Sequence, residues 1–160
     1  TYSGAIRTHE FQEMMREANR LRVTQQIHYL GYVPNAAMSA LYTGAMGLVM
    51  PTFFGPTNIP IVEAWLFGCP VLTSDIRGIR EHVGDAGLLV DPRSVEAIAE
   101  GMCRLWEDER LRADLAQRGT QQLAMYSRQD FCAKLGEIIA ETNQRVREQR
   151  SQGDRLKVSP

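Results

Sequence analysis

The residues best placed to do chemistry are Thr57, Asn58 and Glu63, inside the run PTFFGPTNIPIVEAWLFGCPVLTSD at residues 51–75. His28 aside, Glu63 is the only formally charged side chain between Val23 and Ser74, and its neighbours Ile59, Ile61, Val62, Trp65, Leu66 and Phe67 are apolar. A carboxylate in that company is costly unless something binds it. Thr57 and Asn58 are N-cap types, and Pro60 falls where a first helical turn tolerates a missing N–H. The run therefore predicts a helix from about Ile59, with free N–H groups of residues 57–61 pointing out of its end. Such an end attracts phosphate. Glu63 lies one turn further in, and helical side chains lean towards the N-terminus, so its carboxylate can reach what the helix end holds. Vicinal hydroxyls suit it: in α/β proteins carboxylates commonly take ribose hydroxyls while a helix end takes the diphosphate. The plainer alternative is that Glu63 complements the helix dipole or pairs with an Arg.

The elements that must position these groups follow from the apolar pattern. A helix is expected over residues 8–22, with Phe11, Met14, Met15, Ala18 and Leu21 as its stripe, then a short strand over 27–30 and a turn at 31–34. Asn35 is expected to cap a second helix, followed by a buried strand over 47–50. After the helix at Ile59, Gly68 stops it and residues 70–73 form a buried strand; 74–78 is a loop, 79–83 a short helix and 88–90 a further strand. Ser94 caps a helix carrying Ile98, Met102, Leu105 and Trp106, another runs over 109–126, and Ser127 with Asp130 resembles a capping box opening a last helix. Trp65 and Trp106 both read as core-facing. From Thr142 the apolar period fades, and residues 151–160 read as a frayed tail.

Strands alternating with helices indicate an α/β fold with a doubly wound, mainly parallel Rossmann-like sheet and extra C-terminal helices. Residues 1–142 are read as that domain, truncated at its N-terminal edge, and 143–160 as a charged helix end and tail. Ligands in this architecture bind beyond the carboxyl ends of the strands, which singles out the loops 31–34, 51–58 and 74–78.

At 160 residues, 44% hydrophobic and 23% charged, the composition is that of an ordinary globular domain. A formal net charge of −1, without a basic stripe, speaks against nucleic acid. No apolar run reaches membrane-spanning length. Cys69, Cys103 and Cys132 fit neither a disulfide framework nor a zinc site, so a cytoplasmic location is expected. His9, His28 and His82 have no metal spacing and read as surface or packing residues. Arg77 and Arg80, near the expected cleft, can touch phosphate or pair with Asp75 or Glu81.

Residues 28–92 carry a resemblance. LGYVP, LYTGA, PTFFGPTNIPIVEAWLFGCPV, SDIRGIRE and GLLVDP follow in the order and spacing of the C-terminal, donor-binding domain of GT-B retaining glycosyltransferases of family 4. The resemblance implies transfer of a sugar from a nucleoside-diphosphate sugar to an acceptor hydroxyl, without an obligatory metal or other cofactor. It implies that Glu63 binds ribose hydroxyls, that the backbone of Asn58 and Ile59 holds the diphosphate, and that Gly31, Tyr32 and Val33 line the base. It further implies an acceptor glycan or lipid-linked glycan held by a domain preceding Thr1, peripheral membrane association of the whole protein, and little activity for this segment alone.

One position departs from the family pattern. Gly55 stands where a Glu usually contacts donor-sugar hydroxyls, leaving Thr57 or Asn58 to take over part of sugar recognition, or sugar binding weak. Two rival readings follow: a nucleotide-sugar-binding module of a regulatory or degenerate protein, which Gly55 favours, and a sugar-nucleotide epimerase, which the lack of a visible acid/base pair disfavours.

Overall fold

The computed structural model describes residues 1–55, 58–125 and 128–156. Three parallel strands, β1 (Leu48–Met50), β2 (Val71–Ser74) and β3 (Leu88–Val90), form one sheet in that order. Leu48 pairs with Val71 and Leu72 with Leu88. Around the sheet lie α1 (Thr8–Arg20), α2 (Asn35–Gly44), α3 (Ile59–Leu66), α4 (Ile79–Val83), α5 (Val95–Glu107), α6 (Glu109–Ala124) and α7 (Arg128–Leu156). The expected parallel α/β architecture with additional C-terminal helices is what the chain adopts.

Strand alternation divides the core. Val71 joins Tyr42, Ile61, Ala64, Trp65, Cys69, Ile79, Val83 and Ala86, while its neighbour Leu72 joins Val90, Leu105 and Leu115. Successive strand residues point to opposite faces, so a two-faced strand must be apolar throughout. All four β2 residues are buried, including Thr73 and Ser74. β1, expected to be buried, lies at one edge of the sheet and leaves Val49 38% exposed.

The helix bearing Glu63 is anchored by its one large aromatic. Trp65 is buried at 1% exposure and donates its indole N–H to the Ala86 carbonyl at 3.2 Å. Gly119 on α6 faces it, and a Cβ there would overlap the indole ring. Glycine inside a helix costs about 1 kcal/mol relative to alanine. Here it lets α6 approach α3 closely enough to seal the tryptophan.

Several local expectations need correcting. Residues 27–30 form no strand: Tyr2 and Tyr29 make an isolated parallel bridge, held by Tyr2 N–H to His28 O and Leu30 N–H to Tyr2 O. Pairing loses its register there: the segment stays alongside, but the N–H of Gly4, at φ 105°, donates to Gly31 O at 2.8 Å, one residue beyond the Leu30 carbonyl that a parallel ladder would use. Asn35 is the first residue of α2; the cap position belongs to Pro34, whose φ of −61° and ψ of 146° suit the entry. α1 ends at Arg20, and Leu21 is 54% exposed. Trp106 is 71% exposed, since Gly101 and Leu105 take the inward face of α5. Ser94 caps α5 as expected, its Oγ accepting from the Ala97 N–H at 3.0 Å. The last helix continues through Leu156, into the segment expected to fray, and residues 157–160 of that segment lie outside the described residues. The capping box at Ser127 and Asp130 lies outside the described residues.

Candidate functional site

α3 begins after Asn58, which holds φ 16° and ψ 64°. Asn58 holds the N-cap position, as read, but its side chain makes no cap hydrogen bond, and its side-chain amide nitrogen is buried without a hydrogen-bond partner among the described residues. The Asn58 side chain lies instead against Gly55, where its oxygen occupies the space a Cβ would need. Thr57 falls outside the described residues. The expected row of free N–H groups is shorter than the sequence implied. Ile61 donates to the Asn58 carbonyl at 2.9 Å and Pro60 has no N–H, so in the first turn the Ile59 amide is the one with no acceptor among the described residues. Ile59 itself is 65% exposed.

Glu63 sits one turn into the helix and is partly buried. No Arg pairs with it among the described residues; the Tyr42 hydroxyl of α2 donates to its Oε2 at 3.0 Å. Tyr42 is buried, and its ring stacks on Phe67 with centroids 6.0 Å apart and planes 11° from parallel. Burial, reinforced by the neighbouring Glu63 carboxylate, pushes the Tyr42 phenol pKa upwards, so it stays protonated and donates. The sequence offered two hydroxyl donors in LYTGA, Tyr42 and Thr43, and gave no signal of which would meet the acid.

The loop before α3 is tied down from β2. Thr73 Oγ1 donates to Met50 O at 3.0 Å, Ser74 Oγ to Thr52 O at 2.5 Å, and Thr52 Oγ1 to Phe54 O at 2.8 Å. Ser74, read as a loop residue, is therefore the last residue of β2 and a brace for the β1–α3 loop. Beyond it, Arg80 Nε donates to the Asp75 carboxylate, and this hydrogen bond holds the Asp75 pKa below the usual carboxylate range. The Glu81 carboxylate accepts from the Gly78 N–H and closes the start of α4. Arg77 is exposed on the same loop.

Gly31, Tyr32 and Val33 lie on a separate loop that feeds α2. Gly31 accepts from the Gly4 N–H at 2.8 Å, and Tyr32 is 85% exposed. The α2–α3 contact through Tyr42 and Glu63 links this loop's helix to the Asn58 end. His82, read as surface or packing, packs its ring on Trp65 with centroids 5.5 Å apart, and burial lowers its pKa.

The family of glycosyl transferases group 1 matches residues 4–108. The chain belongs to that family. O-antigen chain mannosyltransferase B of Escherichia coli is 39% identical over 101 residues, spanning 63% of this chain and 26% of that protein. The D-inositol 3-phosphate glycosyltransferase of Corynebacterium urealyticum is 28% identical over 123 residues, 76% of this chain and 29% of that protein. HepE from Anabaena, solved with UDP and glucose, superposes with a TM-score of 0.70 at 23% identity, covering 89% of this chain and 39% of that one. WaaG, a glycosyltransferase of lipopolysaccharide biosynthesis, gives 0.68 at 21% identity over 86% and 36% of the two chains. This group 1 glycosyl transferase chain thus spans little more than a quarter of those curated relatives and has the fold of one half of a GT-B enzyme. Among its described residues no helix is long and apolar enough to cross a membrane.

Proposed function

We propose that this domain holds the donor of the transfer, a nucleoside-diphosphate hexose whose sugar passes to an acceptor hydroxyl with retention. The observation that carries the reading is Glu63. It is a partly buried carboxylate on an apolar helix, held among the described residues by a phenol and not by a cation, one turn in from the start of that helix. A phenol leaves the charge uncompensated and most acceptor positions of the carboxylate open. In this reading Glu63 takes the ribose hydroxyls, the Asn58–Ile59 end takes the diphosphate, Tyr32 and its neighbours face the base, and Arg77 supplies positive charge near the phosphates. Stabilising the departing diphosphate is the main electrostatic task of such a transfer, and fixed dipoles aimed at it meet that task. The names of the relatives, a mannosyltransferase of an O-antigen chain and a structure holding UDP and glucose, support a hexosyl donor and a glycan acceptor. We place the protein in the cytoplasm, where its three free cysteines would stay reduced.

Glu63→Gln tests the reading. It should weaken nucleoside-diphosphate binding by about 1.5 to 3 kcal/mol, roughly ten- to a hundredfold, and leave thermal stability nearly unchanged. A stable variant with unchanged affinity removes Glu63 from the ribose site. Gly55 favours a second reading, a nucleotide-sugar-binding module without transfer activity. Intact nucleotide binding by the full-length protein, without turnover of any donor, would select it.

A further inference from the structure

We propose that Tyr42 is a positioning residue for the donor site, holding the Glu63 carboxylate at one oxygen so that the other is presented to the ribose. The inference rests on the ribose-binding reading of Glu63 and assigns a second side chain to it.

A glutamate side chain on a helix surface rotates about three bonds, and a carboxylate that must accept from two vicinal hydroxyls works best when that freedom is removed beforehand. Tyr42 has what the task requires. Its ring is 7% exposed and stacked on Phe67, so the hydroxyl has little freedom of its own. The hydroxyl donates to Oε2 of Glu63 at 3.0 Å. An ionised carboxylate has about four acceptor positions, of which one donor occupies one. Among the described residues no other donor meets the carboxylate, so Oε1 and the second lone pair of Oε2 stay available.

The direction of approach also fits. Tyr42 lies near the C-terminal end of α2, Glu63 one turn into α3, and side chains on α2 lean back towards its N-terminus. That N-terminus follows the Gly31–Val33 loop. A single hydrogen bond therefore ties the helix led by the proposed base loop to the helix led by the proposed phosphate site. Burial and the adjacent carboxylate both keep the phenol protonated, so at neutral pH the pair does not compete for one proton.

The test is titration of the full-length protein, wild type, Tyr42→Phe, Glu63→Gln and the double variant, with UDP and GDP, with their 2′,3′-dideoxy analogues, and with inorganic diphosphate. Phenylalanine keeps the ring and its stacking, and melting temperatures are read alongside. The expected result is a roughly three- to thirtyfold weaker affinity of Tyr42→Phe for the ribonucleotide that the wild type binds. Dideoxynucleotide and diphosphate should bind it as they bind the wild type, and Tyr42→Phe should have little further effect once Glu63 is Gln. If Glu63→Gln weakens ribonucleotide binding but Tyr42→Phe does not, the positioning role is overturned while the donor-site reading stands. If Glu63→Gln leaves affinity unchanged, both fall together. A Tyr42→Phe variant that melts lower and loses diphosphate and ribonucleotide in the same proportion assigns the hydroxyl to helix packing alone.

Discussion

The side-chain oxygen of Asn58 occupies the space beside Gly55 that a Cβ would fill, and Gly55 itself sits at φ 152°. The two residues therefore depend on each other. Gly55→Ala should destabilise the protein by about 1 to 3 kcal/mol, and by clearly less in an Asn58→Gly background, because the overlap disappears. Denaturant unfolding of the four variants reads the coupling. A cost below about 0.5 kcal/mol for Gly55→Ala would mean that the loop moves aside freely. The same geometry predicts that Gly55→Glu, the residue usual in this family, restores no donor-sugar contact unless Asn58 is changed with it.

Gly119→Ala probes the seat of α3. The added methyl meets the Trp65 indole, which is fully enclosed and hydrogen-bonded to Ala86. Despite alanine's better helix propensity, the variant should lose about 1 to 3 kcal/mol. Thermal unfolding decides the sign; a more stable variant would show that α6 can retreat from Trp65 without penalty.

His82 makes stability depend on pH. Burial against Trp65 lowers its folded-state pKa from the ordinary 6.5. A lowered pKa means the unfolded chain binds the proton more readily. The contribution is thus complete above pH 6.5, declines as the pH falls through the folded-state value, and is constant below it. Replacing His82 with Phe should flatten the melting temperature between about pH 7 and the acid plateau relative to wild type. An unchanged slope would assign the dependence to other groups.

Tyr32, exposed at the tip of its loop, is the side chain expected to meet the base. Tyr32→Ala should weaken nucleoside-diphosphate binding by about 1 to 3 kcal/mol if it stacks, with no effect on inorganic diphosphate. Calorimetric titration with both ligands separates base contact from phosphate contact; equal losses would place Tyr32 elsewhere.

Much of this molecule was legible from local rules. The alternation of apolar strands with helices, the Gly68 stop, the Ser94 cap and the extent of α4 depend on neighbours within a few residues, and they appear where the sequence places them. Misplaced features depended on what lies across space. The segment at 27–30 is apolar enough for a strand, but a strand also needs a partner that keeps its register, and at Gly4 the partner's N–H has moved on to the Gly31 carbonyl. Trp106 follows the periodicity of α5 as well as Leu105 does, yet only one side of that helix meets the sheet.

The candidate site divides in the same way. The sequence by itself determined that an unmatched acid stands one turn inside a proline-bearing helix start, because charge, spacing and helix geometry are local quantities. It also determined the family, through motifs whose order survives whatever the packing does. Only the tertiary structure decided what meets that acid. Tyr42 and Glu63 lie on different helices, and their hydrogen bond forms because α2 and α3 are packed together with Phe67 behind the phenol. It likewise laid the side chain of Asn58, at the N-cap position, against Gly55. A backbone free of a Cβ opened that space, and a buried amide takes whatever room the packing leaves it.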